Sequence, residues 1–292
     1  MTTHDSSLTT RGRKFRALHA RDHAFIIPNP WDIGSARLLA QLGFEALATT
    51  SAGYAFSTGR PDNTVDRDQM MAHVETIASA THLPVSADLE NGFGHDAETA
   101  AETIRRAAAA GAVGGSIEDA SGRAQDDPLY EIAHAADRVR AAAEAARALP
   151  FPFTLTARAE NFLVGQPDLA DTIRRLQAYQ DAGADVLYAP GLVSKDDIAT
   201  VVRSVDRPVN VVMGLQGARL DLPELSAIGV KRVSVGSALA RAAFGALLRA
   251  AREMRESGTF AFADEAVSFR DITALFDRAV RDAAASTEDP RK

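Results

Sequence analysis

The sequence predicts a single (β/α)8 TIM-type barrel with extra C-terminal helices, and three observations carry that prediction. A glycine closes a helical pattern ahead of a short apolar run four times, at Gly43, Gly111, Gly183 and Gly229. Glycine there takes the left-handed conformation that caps a helix. A proline opens an apolar run at Pro84, at Pro150 and Pro152, and at Pro208, which a strand tolerates at its first residue. The 292 residues leave room for eight β-α units in about 250 residues, the usual size of such a barrel.

In chain order, β-rich runs fall near 24–28, 45–50, 84–88, 113–118, 152–158, 184–189, 208–213 and 231–235. Helical patterns such as residues 97–111 and 167–183 lie between most of them. Strands apolar on both faces and alternating with helices form a parallel sheet covered by helices. A doubly wound sheet is the competing architecture. No Pro/Gly/Ser linker divides the chain, which reads as an N-terminal helical segment (1–23), a barrel (24–256) and a C-terminal helical extension (257–292) suited to contacts between copies.

Composition removes several functions. With 32 basic and 39 acidic residues the net charge is −7, against a nucleic-acid partner, which calls for a basic face. The absence of cysteine excludes thiolate zinc sites, iron–sulfur clusters and a cysteine nucleophile. Residues 1–23 carry charges throughout and lack the apolar core of a secretory signal. No stretch approaches 18 uninterrupted apolar residues. The expectation is a soluble, cytoplasmic protein with no membrane partner.

Barrel active sites sit at the C-terminal ends of the strands. There the third run ends in Asp88 and Glu90, the fourth in Glu118-Asp119, and the fifth in Arg158 followed by Glu160. Side chains two apart on an extended chain leave the same face. Convergent carboxylates repel one another unless a cation sits among them. Oxygen ligands without cysteine or clustered histidine suit Mg²⁺ or Mn²⁺. Arg158 beside them offers a donor fork for a substrate carboxylate or phosphate. Gly92-Phe93-Gly94-His95-Asp96-Ala97 matches a dinucleotide fingerprint in form. It follows the third strand rather than the first, however, and Asp88 and Glu90 place negative charge where a pyrophosphate belongs. Of seven histidines only His95 falls beside this region. Gly214, Gly217 and Gly236-Ser237 stand where barrels often bind phosphate. Trp31 and Phe93 are candidate pocket walls.

Residues 28–37 (PNPWDIGSAR), 50–53 (TSAG), 60–62 (RPD), 86–94 (SADLENGFG), 116–119 (SIED) and 156–158 (TAR) together resemble the isocitrate lyase/phosphoenolpyruvate mutase superfamily, in order across residues 24–250. The resemblance implies a barrel whose Mg²⁺ is held, directly or through water, by Asp62, Asp88, Glu90 and Glu118. It implies that a 2-oxo carboxylate substrate chelates that ion and is held by the Ser51-Ala52-Gly53 turn and Arg158. It also implies a homo-oligomer, dimer or tetramer, built through the C-terminal helices; the pattern of Phe260, Phe262, Phe269, Ile272, Leu275 and Phe276 suits that role and equally suits a helix packed on its own barrel. Two departures stand out. The second acid of the D-x-D element is glutamate, at position 90. The loop after Glu118-Asp119 reads ASGRAQDDP (120–128), where isocitrate and methylisocitrate lyases carry a catalytic cysteine.

The expected activity is therefore Mg²⁺-dependent cleavage of a carbon–carbon bond in a small 2-oxo or 2-hydroxy dicarboxylate, oxaloacetate-like, through an enolate. Asp88, Glu90 and Glu118 hold the ion, Glu118 and Arg158 take part in the chemistry, and Trp31, Tyr54 and the 51–53 turn help hold the substrate. Loop 120–128 closes over it. Tyr54, His95, Arg123 and Tyr188 are the candidate acids or bases. The alternatives are phosphorus–carbon chemistry on a phosphonopyruvate-like substrate, and a binder of 2-oxo acids without turnover.

Overall fold

A computed structural model describes residues 3–122 and 128–285. Eight strands follow one another in the expected order: β1 (Phe25–Ile27), β2 (Leu47–Ala48), β3 (Val85–Asp88), β4 (Gly114–Glu118), β5 (Thr154–Arg158), β6 (Val186–Tyr188), β7 (Val209–Val212) and β8 (Arg232–Ser234). All pairings are parallel, in the spatial order β1-β8-β7-β6-β5-β4-β3-β2. The ring nearly closes between its two ends, where the Ala48 amide donates to the Pro28 carbonyl at 3.1 Å. A doubly wound sheet is thereby ruled out, since its edges stay apart.

The outer layer comprises α2 (Ile33–Gln41), α3 (Ser51–Ser57), α4 (Arg67–Ala80), α5 (Ala97–Ala109), α6 (Ile132–Arg147), α7 (Leu169–Ala182), α8 (Lys195–Arg203), α9 (Leu222–Ala227) and α10 (Ala238–Ser257). Aspartate or serine caps most of them: Asp96 accepts from the Thr99 amide at 2.7 Å and Asp168 from the Asp171 amide at 2.9 Å, satisfying donors the helix leaves orphaned. An additional helix, α1 (Thr3–His19), lies under the N-terminal end of the barrel, and α11 (Phe269–Ala285) packs on α2 with the Phe276 ring beside Gly34. Phe15 of α1 fits against Gly114 at the start of β4, where a Cβ would stand 2.7 Å from its ring.

The four expected capping glycines all have positive φ: +86° at Gly43, +93° at Gly111, +107° at Gly183 and +92° at Gly229. A Cβ at Gly43 meets nothing, whereas one at Gly111 stands 3.1 Å from the Ala78 methyl. Gly43→Ala should cost about 1–2 kcal/mol of stability from backbone conformation alone, and Gly111→Ala measurably more. Thermal unfolding of the two variants checks the order.

Aliphatic side chains such as Leu47, Val85, Leu155 and Leu187 are buried in the apolar core. Beneath the C-terminal mouth, however, buried Ser86, Ser116, Asn210, Arg232 and Ser234 line a cavity. Small and polar residues there leave space that branched aliphatics commonly fill in such barrels. No described helix is long and apolar enough to cross a membrane.

Candidate active site

A cavity of about 1260 Å³ opens at the C-terminal ends of the strands. Arg158, the last residue of β5, lines it. The guanidinium reaches Asp88 Oδ1 at 2.9 Å, Glu118 Oε2 at 3.0 Å and Glu160 Oε1 at 2.8 Å, with all four side chains under 20% exposed. The Tyr188 ring from β6 lies under it, 5.2 Å from the guanidinium carbon. Burial opposes the Arg158 charge, but Glu118, Glu160 and Asp88 outweigh that cost and hold its pKa well above the ordinary value. Burial drives the Glu118 pKa well up and raises that of Glu160, while Arg158 pulls both back.

Asp88 is fixed from a second side. Its Oδ2 accepts from the Ser51 amide at 3.0 Å and the Ser51 hydroxyl at 2.9 Å, and its own amide donates to Thr49 Oγ1 at 2.8 Å. Ser51 opens α3, whose cap Thr50 accepts from the Gly53 amide at 3.2 Å. Two amides of the expected 51–53 substrate turn are thus engaged by Asp88 and by the cap.

Glu90 reaches the cavity by a route the extended-chain argument did not foresee. The strand ends at Asp88, and Glu90 has φ +49°, left-handed for a residue with a side chain. Phe93 (φ +61°) and Asn63 (φ +59°) share that conformation and also line the cavity. Backbone held in sparsely populated regions clusters at functional sites. Burial first, then the charges of Asp88 and Asp62, push the Glu90 pKa up to about 8. Its Oε1 is buried without a hydrogen-bond partner among the described residues. Asp62 stands at the mouth with one side in solvent; its pKa is raised by partial withdrawal from water and by Asp88, against the amide of Asn63.

Of the residues singled out in the sequence, Ser51, Ala52, Asp62, Asp88, Glu90, Glu118, Arg158, His95 and Tyr188 line the cavity. Trp31, Gly53 and Tyr54 do not. The Trp31 Cβ would be a close neighbour of a Cβ at Gly53, and the Tyr54 ring stacks on His73 at 3.9 Å. Residues 123–127 of the expected closing loop, Arg123 included, lie outside the described residues.

Sequence reasoning placed Glu160 at the end of the fifth run but gave it no role, although its two-residue spacing from Arg158 marks it as it marked Asp88 and Glu90. It also missed the buried network behind the site. There Asp119 accepts from the Glu160 amide at 2.8 Å, from Arg175 Nη1 at 3.1 Å and from the Tyr179 hydroxyl at 2.5 Å. This network props the segment carrying Glu160, and the residues it joins are up to 60 apart in sequence.

The donor set suits a hard cation. A buried carboxylate oxygen without a partner, as at Glu90, calls for an ion or a water, and every candidate ligand is an oxygen acid. Among the described residues no three such side chains converge closely enough to hold an ion by direct bonds alone. Arg158 supplies the central positive charge instead. An ion that keeps several of its waters, as Mg²⁺ does, fits this spacing better than one needing a closed protein cage.

The sequence profile described as phosphoenolpyruvate phosphomutase matches residues 15–255. A crystal structure from Burkholderia cenocepacia J2315, named only as a candidate lyase/mutase, is 65% identical, with TM-score 0.91 over 93% of this chain and 97% of that one. Oxaloacetate decarboxylase of Chromohalobacter salexigens is 30% identical over 248 residues, 83% of this chain and 84% of its own. A phosphonopyruvate hydrolase structure, in complex with oxalate and Mg²⁺, is 25% identical with TM-score 0.82, covering 95% of this chain and 98% of that one. The decarboxylase and the hydrolase among these relatives are enzymes by name, and the solved relatives share this chain's barrel. This chain is a member of the phosphoenolpyruvate phosphomutase family, within the isocitrate lyase/phosphoenolpyruvate mutase superfamily.

Proposed function

We propose that this chain is a Mg²⁺- or Mn²⁺-dependent enzyme that cleaves a carbon–carbon bond of a small, oxaloacetate-like 2-oxo or 2-hydroxy dicarboxylate. The observation that carries this is the convergence of Asp88, Glu118 and Glu160 on Arg158, with the unpartnered Glu90 beside them. Asp88, Glu90 and Glu118, with Asp62 at the mouth, would hold the ion. When bound, the ion supplies Lewis-acid stabilisation of negative charge developing on the substrate's 2-oxo oxygen. The residues do the rest. Arg158 would hold the substrate carboxylate through its guanidinium fork. Tyr188 supports the guanidinium plane from below, and Ser51 keeps Asp88 aimed inward. Glu160, buried and anchored through Asp119, keeps Arg158 charged. The substrate is a small molecule, with no nucleic acid or membrane partner.

The phosphonopyruvate hydrolase neighbour supports a second reading, cleavage of a phosphorus–carbon bond in the same cavity. One panel separates them. With Mg²⁺ present, 2-oxo dicarboxylates and phosphonopyruvate are supplied in turn, and pyruvate, carbon dioxide and inorganic phosphate are measured. The expected result is pyruvate from oxaloacetate without phosphate release from phosphonopyruvate. Thermal stabilisation by oxaloacetate without any product would instead mark a binder without turnover.

We further place the protein in the cytoplasm, in keeping with its cysteine-free sequence, and read it as a homo-oligomer, dimer or tetramer. Leu247, Phe260 and Phe269, respectively 60%, 66% and 87% exposed, are the apolar surface that a second copy would cover.

A further inference from the structure

The site as described holds and orients a substrate but leaves one requirement open: the carbon that keeps the bonding electrons after cleavage must receive a proton. Asp88, Glu118 and Glu160 are committed to Arg158. Among the described residues, one histidine lines the cavity, His95, in the turn between β3 and α5. Its Nδ1 lies 2.6 Å from the Tyr130 hydroxyl oxygen, at the end of the segment leading from β4 to α6. The Asn91 amide nitrogen reaches the same oxygen at 3.5 Å. When the ring is protonated both nitrogens carry hydrogen, and Nδ1–H then donates to this oxygen. The ring's other nitrogen, Nε2, has no partner among the described residues, and the residue is exposed.

Both halves of the pair are rigidly mounted. Buried Arg138 lies 4.4 Å from the centre of the Tyr130 ring and donates to the carbonyls of Asn91 and Gly94, bracing the turn that carries His95. The Tyr130 amide donates to the Asp119 carbonyl at 2.9 Å, and its carbonyl accepts from Arg175 Nη1 at 2.7 Å. The His95 carbonyl accepts from His134 Nε2 at 2.8 Å. A histidine presented to a cavity by a fixed hydroxyl, with one nitrogen open, has the form of a general acid and its orienting partner.

We propose that His95 delivers the proton to the enolate carbon and that Tyr130 is its positioning residue. The proposal rests on the 2-oxo dicarboxylate reading above. In the step, the bond to the departing carboxylate breaks and carbon dioxide leaves. The electron pair stays on the enolate, and the Nε2–H of the imidazolium passes to carbon, giving the 2-oxo monocarboxylate. The neutral imidazole keeps Nδ1–H on Tyr130 and recovers its proton at Nε2 from water. The charged and titratable groups around the ring are Tyr130, His134 and Arg138 from the α6 side and Asp96 at the start of α5. Asp62, Asp66, Arg67 and Asp68 line the same cavity.

The test uses the full chain with Mg²⁺ and oxaloacetate, measuring kcat, KM and the pH profile of wild type, His95→Gln and Tyr130→Phe. The donor must be protonated, so kcat in the wild type is expected to fall toward alkaline pH. His95→Gln is expected to lower kcat roughly 10²-fold, leave KM and Mg²⁺ affinity within about twofold, and abolish that alkaline limb. Tyr130→Phe, which removes only the hydroxyl, should move the limb to lower pH. A His95→Gln enzyme with wild-type kcat and an unchanged limb overturns the proposal while leaving the 2-oxo dicarboxylate reading standing. Wild-type inactivity across the substrate panel overturns that reading and the proposal with it. Should His95→Gln fold poorly, an unmoved limb in Tyr130→Phe overturns the assignment by itself.

Discussion

Asp88→Ala is expected to eliminate metal-dependent turnover, by roughly 10³-fold or more, while leaving the barrel folded. The magnitude follows from removing several kcal/mol of charge stabilisation, at about 1.4 kcal/mol per tenfold in rate. The residue is the node of the site: one carboxylate oxygen takes both Ser51 donors and the other takes Arg158. Its removal leaves Arg158 with Glu118 and Glu160 and frees the α3 amide. The strand survives because the Asp88 amide, not its side chain, holds Thr49 Oγ1. Asp88→Asn separates charge from shape. It keeps an oxygen for Ser51 but loses the negative charge and turns an amide NH2 toward Arg158, so Mg²⁺ affinity should fall nearly as far as in the alanine variant. Titration of Mg²⁺ into each variant, with turnover measured in parallel, decides the matter. Full turnover and unchanged affinity in Asp88→Ala would sink the assignment.

The same residue marks what the sequence can express. Asp88, Glu118 and Arg158 were legible because each ends a run whose start is punctuated by glycine or proline, and β-strand ends are where such barrels gather function. The punctuation is local chemistry, so the left-handed caps at Gly43, Gly111, Gly183 and Gly229 could be anticipated from their neighbours. Partnership was not legible. The pairing of Arg158 with Asp88 and Glu118 from two other strand ends, and of Asp119 with Arg175 and Tyr179 far along the chain, exists only once the sheet closes. Tyr54 shows the same limit from the other side: its place beside a promising turn suggested a ligand contact, and its stacking on His73 appears only once α3 is formed. Ser51 to Ser57 lack a strong helical pattern, and that helix begins because Thr50 caps it. Glu90 was found for an incomplete reason, since a left-handed turn rather than the strand pleat delivers it to the cavity.

That turn leads to a pH-dependent prediction opposite in sign to the usual salt-bridged carboxylate. The Glu90 pKa rises in the folded protein from 4.5 to about 8, through burial first and then Asp88 and Asp62. A raised folded pKa means that the native state favours the protonated acid. Its contribution to stability is therefore fully present below the unfolded value and is lost as pH rises through about 8. Glu90→Gln mimics the protonated form at every pH. In metal-free buffer the variant should match wild type near pH 5 and exceed it near pH 9. After discounting for the partial exposure of Glu90, the gain is on the order of 2 kcal/mol, or roughly 5 °C in Tm for a chain of this size. Saturating Mg²⁺ should reverse the order at alkaline pH, because a cation bound only to the native state stabilises wild type by mass action and the amide offers it no charge. Protons and the cation compete for the same oxygen, so the Mg²⁺-induced rise in Tm of wild type should shrink between pH 8.5 and 6.5. Parallel melting curves for the two proteins across that range, with chelator and with Mg²⁺, carry the test. Curves that stay superimposed at every pH would mean that Glu90 neither carries the raised pKa nor receives the ion.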